Sequence, residues 1–150
     1  LDGIRMNLFT IGFTGKSAQN FFGLLEGSKA TKLIDIRINR TSQLAGFAKE
    51  QDLRFFLPKI VGMEYLVRED LAPTKELLAF YRDKEIKWDE FTRKYQTLLD
   101  DRGVLKQFSP LDFENSVLLC SEKEPEKCHR TLLASLIVDQ FPILQITNLI

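Results

Sequence analysis

Short apolar runs alternate with stretches of helical spacing along this chain. Residues 7–12 (NLFTIG) and 32–37 (KLIDIR) predict strands. Between them, Ser17 stands where a helix cap belongs, and Ala18, Phe21, Phe22 and Leu25 share one helical face. Gly27 is the expected stop. Residues 49–60 have helical spacing interrupted at Pro58, because proline removes a helical donor and clashes with the preceding turn. Residues 64–67, after Gly62, read as a short third strand. Helices are expected over 74–84 and over 87–101, the second with Trp88, Phe91, Tyr95, Leu98 and Leu99 on one face. Residues 116–120 (SVLLC) form a continuous apolar run, as a central strand covered on both faces requires. A last helix opens at Pro125 and runs through Val138, and residues 143–146 read as a final strand.

Alternating strands and helices predict a single α/β domain over residues 1–150, with a mainly parallel central sheet flanked by helices. In such sheets, ligands sit beyond the carboxyl ends of the strands. Those ends are where chemistry is to be sought.

Composition narrows the classes. A chain of 150 residues with 44% hydrophobic residues and 12 Phe can bury a core without staples. The 21 basic and 21 acidic side chains cancel, which argues against gripping nucleic acid through bulk charge; a local basic patch is still compatible with it. Two cysteines are too few for a disulfide framework, so a reducing, cytoplasmic setting is expected. No apolar run reaches the roughly 18 residues of a membrane span, and no signal peptide is visible. The sequence reads LDGIR before Met6, so residues 1–5 are expected to be an upstream remnant.

Three strand ends carry candidate groups. At the first, residues 12–17 (GFTGKS) imitate a phosphate loop, but Thr10 stands where that pattern needs its first glycine. A tight turn with Ser17 as helix cap is the preferred reading. At the second, Asp35 and Arg37 are two apart and share a strand face. Arg37 is a candidate anion binder, with Asp35 orienting it or acting as a base; a buried ion pair explains them equally well. Asn39 and Ser42 follow as candidate ligand contacts.

The third strand end is residues 118–130 (LLCSEKEPEKCHR). Cys120 ends the strand and Glu122 follows. Cys128, His129 and Arg130 fall in or near the first turns of the next helix, where free amides favour a thiolate or a bound anion. Consecutive helical residues diverge by about 100°, so at most two of these three can reach one ligand. Cys120 and Cys128 are candidate nucleophiles, with His129, Glu122 or Asp35 moving protons and Arg37 and Arg130 holding the anion. Arg130 is also placed to pair with Asp35 or Glu122. The cysteine and histidine spacing fits no standard zinc pattern, so no metal is expected, and nothing in the sequence calls for a cofactor.

Several of these motifs together resemble the domain of unknown function 488 family. They are residues 10–12 (TIG), 33–37 (LIDIR), 42–47 (SQLAGF), 71–75 (LAPTK) and the LLCSE…PEKCHR stretch. The resemblance covers nearly all of the chain after Met6. It implies an α/β domain and a pocket gathering Asp35, Arg37, Cys120, Glu122, Cys128, His129 and Arg130. It implies no settled reaction. Many relatives carry a proline after the Asp-x-Arg segment, whereas this chain reads Ile38-Asn39-Arg40-Thr41-Ser42.

Two functional expectations follow. One is an enzyme, a cysteine-dependent hydrolase or transferase, acting on an anionic substrate that is phosphorylated or nucleotide-like; its partner is then a small anionic ligand or nucleic acid. The alternative is a non-catalytic anion-binding module in which the cysteines only pack. A purely structural ion network among Asp35, Arg37, Glu122 and Arg130 stands as the third reading.

Overall fold

The computed structural model describes residues 5–121 and 128–150. The expected remnant therefore lies largely outside the described residues, as do Glu122 and Pro125. Five strands, β1 (Met6–Gly12), β2 (Lys32–Asp35), β3 (Glu64–Val67), β4 (Ser116–Cys120) and β5 (Leu144–Leu149), form one sheet in the order β3-β2-β4-β1-β5. Every neighbouring pair is parallel, so the sheet is wholly rather than mainly parallel.

Strand alternation divides the core into two layers. Phe9, Ile11, Leu33, Val117 and Leu119 point to the face covered by α1 (Ala18–Ser28) and α2 (Glu50–Phe56). Leu8, Ile34, Leu118 and Cys120 point to the opposite face. There they meet α3 (Lys75–Arg82), α4 (Trp88–Arg102), the short α5 (Pro110–Phe113) and α6 (His129–Gln140). Strand β4 is buried at every position, as its unbroken apolar run demands. Each fully buried leucine in it stabilises the fold by about 1.5–3 kcal/mol.

Local chemistry explains most element limits. Ser17 caps α1 by accepting from the Asn20 amide at 3.1 Å, which supports the tight-turn reading of residues 12–17. Helix α1 passes the expected stop at Gly27. Ser28 Oγ bonds the Leu25 carbonyl and the Ala30 amide, and Lys29 takes the left-handed turn. Pro58 does not break the chain direction. The backbone instead widens into one π turn over Leu57–Val61, ending at left-handed Gly62. Strand β5 runs three residues beyond its expected end because β1 offers partners as far as Ile11, opposite Leu149.

Connections after β1 and β2 pass over one face, and those after β3 and β4 pass over the other. The crossing direction reverses where β4 lies between β2 and β1. A crevice opens beyond the carboxyl ends of such strands, bringing the segments after Gly12, Asp35 and Cys120 together. Among the described residues, no helix is long and apolar enough to cross a membrane.

Candidate functional site

A cavity of about 730 Å³ lies at this crevice. Its walls come from the segment after β2 (Arg37, Ile38, Asn39), from Ser121 after β4, from His129 at the start of α6, and from one face of α3. Lys75, Leu78, Ala79 and Arg82 lie at i, i+3, i+4 and i+7 on that helix, which is why a single face delivers all four. Thr74 sets the start of α3 by accepting from the Leu77 amide at 3.1 Å. Among the described residues, the charged lining groups are Arg37, Lys75 and Arg82, and no carboxylate is in the lining itself.

Arg37 is buried and fixed. Its Nε donates to Asp35 Oδ1 at 2.9 Å and its Nη2 to Asp35 Oδ2 at 2.7 Å. Its backbone amide donates to the same carboxylate at 3.1 Å. Tyr65, on the neighbouring strand, donates its hydroxyl to Asp35 Oδ2 at 2.5 Å. Burial and the adjacent carboxylate push the Tyr65 phenol well up, so it remains a donor. Asp35 thus spends its oxygens on Arg37 and Tyr65 and does not line the cavity. The remaining guanidinium nitrogen, Nη1, is buried with no hydrogen-bond partner among the described residues.

His129 joins the wall from the start of α6. Burial, helped by the Arg130 charge, lowers its pKa to about 4, so the ring is neutral at pH 7. The ring is hydrogen-bonded to the Ile36 backbone, while Nε2 is buried without a hydrogen-bond partner among the described residues. Donation from Nδ1 to the Ile36 carbonyl leaves Nε2 as the bare acceptor.

The two cysteines sit behind the wall. Cys120 Sγ and Cys128 Sγ lie 2.9 Å apart, neither in a disulfide and both buried. Cys128 occupies the position capping α6 with an extended backbone, and Arg130 is two residues on. This spacing turns both inward, and Arg130 Nη1 donates to Cys120 Sγ at 3.1 Å and lies 3.8 Å from Cys128 Sγ. His129 between them turns to the cavity, so the triplet splits as helical geometry requires. The hydrogen bond with Cys120, together with burial, pushes the Cys128 thiol far up. Among the described residues, no group of three His, Cys, Asp or Glu side chains is placed to hold a metal ion.

Of the residues singled out from the sequence, Arg37, Asn39 and His129 line this cavity, and Ser42 lines an adjoining one together with Asn39. Asp35 backs Arg37; Cys120, Cys128 and Arg130 form a buried cluster one layer deeper; Glu122 lies outside the described residues. The sequence reading missed Lys75, Tyr81, Arg82 and Ser121. The signal was present for α3: two cations seven residues apart flank Leu78 and Ala79 on one helical face.

The wholly parallel sheet is covered on both faces and has a basic crevice where the crossing direction reverses, which makes this an α/β protein of the open-sheet class, in which ligands generally sit beyond the strand ends. Residues 17–137 match the model for Domain of unknown function DUF488, and the chain belongs to that family. The matched stretch includes Asp35, Arg37, Lys75, Arg82, Cys120 and His129. No curated protein and no solved structure matches the chain.

Proposed function

We infer that the cavity binds a phosphorylated small molecule and that the protein is an enzyme in which His129 moves a proton on that substrate. One observation carries the reading. Arg37 and His129, which line one cavity, each keep a buried polar atom without a hydrogen-bond partner among the described residues. Leaving such an atom unsatisfied costs about 1–3 kcal/mol, and a ligand at the wall recovers it.

Charge supports a dianion in particular. Asp35 neutralises Arg37, so Arg37 serves as an oriented donor, and the excess charge comes from Lys75 and Arg82. Two positive charges match the two negative charges of a phosphate monoester. Such a dianion also raises the His129 pKa from about 4 toward neutrality, which turns a weak base into an effective one. The thiols fit this chemistry less well. They do not line the cavity, and the Cys128 thiol is held in its neutral form. We therefore assign them to packing and Arg37 and His129 to the substrate.

Calorimetric titration with inorganic phosphate at fixed ionic strength tests the reading. Saturable binding is expected, weakened about ten-fold by Lys75→Gln and again by Arg82→Gln. Both residues are exposed, so neither substitution threatens the fold. The binding enthalpy should vary with buffer, reporting proton uptake, and His129→Gln should remove that variation. Phosphate no better than chloride, or affinity indifferent to Lys75 and Arg82, overturns the proposal.

A further inference from the structure

A second cavity of about 520 Å³ adjoins the first, and the two share Asn39 and Ser121 in their walls. Its chemistry is different. Phe13, Leu44, Ala45 and Phe47 supply apolar surface, and Lys16 is its charged residue. Two short loops build it. The loop after β1 is tied to Ser121, whose carbonyl accepts from both the Thr14 amide at 3.2 Å and the Thr14 hydroxyl at 2.5 Å. The loop after β2 is a tight turn capped by Ser42, which accepts from the Leu44 amide at 3.2 Å. Phe47 anchors this loop against Phe21 and Phe22, with ring centroids 5.3 and 5.8 Å away. Gly46 closes the turn at φ 55° and ψ −121°, a conformation open only to glycine.

That anchoring leaves Leu44 95% exposed at the lip of the second cavity. Nothing in the fold requires a leucine there. An ordered loop that buries Ala45, Ala48 and the body of Phe47 while presenting Leu44 outward holds an apolar contact ready beside a cationic chamber. Arg37 links the chambers physically, since its guanidinium lies 5.3 Å from the Phe13 ring centroid while its side chain lines the first.

We propose that the second cavity receives a flat ring carried by the same ligand, so that the substrate class is a phosphate monoester with an aryl or nucleoside group. This rests on the phosphate reading of the first cavity and adds the other half of the molecule. The phosphate occupies the Lys75–Arg82 side, the ester linkage crosses between Asn39 and Ser121, and the ring lies against Phe13, Leu44 and Phe47.

Titration with phenyl phosphate, glycerol 3-phosphate and inorganic phosphate tests it. Phenyl phosphate should bind at least ten-fold more tightly than inorganic phosphate, and glycerol 3-phosphate, with a polar tail of similar reach, should gain little. Leu44→Ser should remove several-fold of the phenyl phosphate affinity, read against inorganic phosphate as internal reference. Equal affinity for phenyl and glycerol phosphates, or a phenyl gain indifferent to Leu44, overturns the ring chamber while leaving the phosphate reading intact. Failure of all three ligands to bind removes both.

Discussion

Burial of a single titratable side chain, His129, couples the stability of this fold to pH. Its folded pKa of about 4 lies below the ordinary value of 6.5. Between those two values the unfolded chain binds a proton that the folded chain refuses, so stability rises with pH across this window. The contribution is complete above about pH 6.5 and is lost as pH falls toward 4. At one pKa unit per 1.36 kcal/mol, the loss is on the order of 3 kcal/mol. Urea unfolding of the wild type and of His129→Gln between pH 4 and 7 checks this: the wild type should lose more stability than the variant as the solution is acidified. Parallel pH slopes would mean that the ring is not buried neutral. The sequence exposed the identity of this residue, since it is the only histidine, but not its environment. Its low pKa comes from burial and the Arg130 charge, which outweigh the hydrogen bond to the Ile36 backbone, and the linear order displays none of these.

At the scale of elements, the Asp35–Arg37–Tyr65 cluster ties the carboxyl end of β2 to the first half of β3. Tyr65 stands opposite Leu33 in register, and its side chain reaches along the sheet to the Asp35 carboxylate. Asp35→Asn should destabilise the fold by about 3–5 kcal/mol, because it leaves the buried Arg37 charge uncompensated. Tyr65→Phe removes one hydrogen bond and should cost about 1–2 kcal/mol. Denaturant midpoints measure both, and equal small losses would show that Arg37 is hydrated rather than held. The Asp35–Arg37 pair was legible in the sequence because a strand repeats every two residues. Tyr65 was not, since a period-two pattern gives the face a residue occupies and not which strand lies beside it. The same limit explains Arg130. Its two-residue offset from Cys128 was visible, but turning to the cysteines rather than to Asp35 depends on the extended backbone at Cys128.

Across the whole molecule, the sheet order decides what the site can be. Placing β4 between β2 and β1 brings Arg37, Ser121 and the loop after β1 into one crevice, and the connection through α3 lays Lys75 and Arg82 over it. Alternating elements foretold a parallel sheet and a site at strand ends, but the order β3-β2-β4-β1-β5 is set by long-range pairing that no local pattern encodes. The sequence named Cys120 and Cys128 as candidates beside Arg37 and His129, and only the folded chain separates them, with both thiols buried and outside the cavity lining. It also makes the consequence of binding specific. On the proposed reading, a phosphate dianion between α3 and the start of α6 would bridge two elements that contribute to the same apolar core. Hydrogen exchange followed by mass spectrometry should then show slower exchange in the first turns of α3 and α6 and in residues 37–39 when phosphate is added. Strand β5, beyond β1 at the far edge of the sheet, should be unchanged. Protection spread evenly over the protein would point to general salt stabilisation, and protection centred on β5 or α5 would place the anion elsewhere.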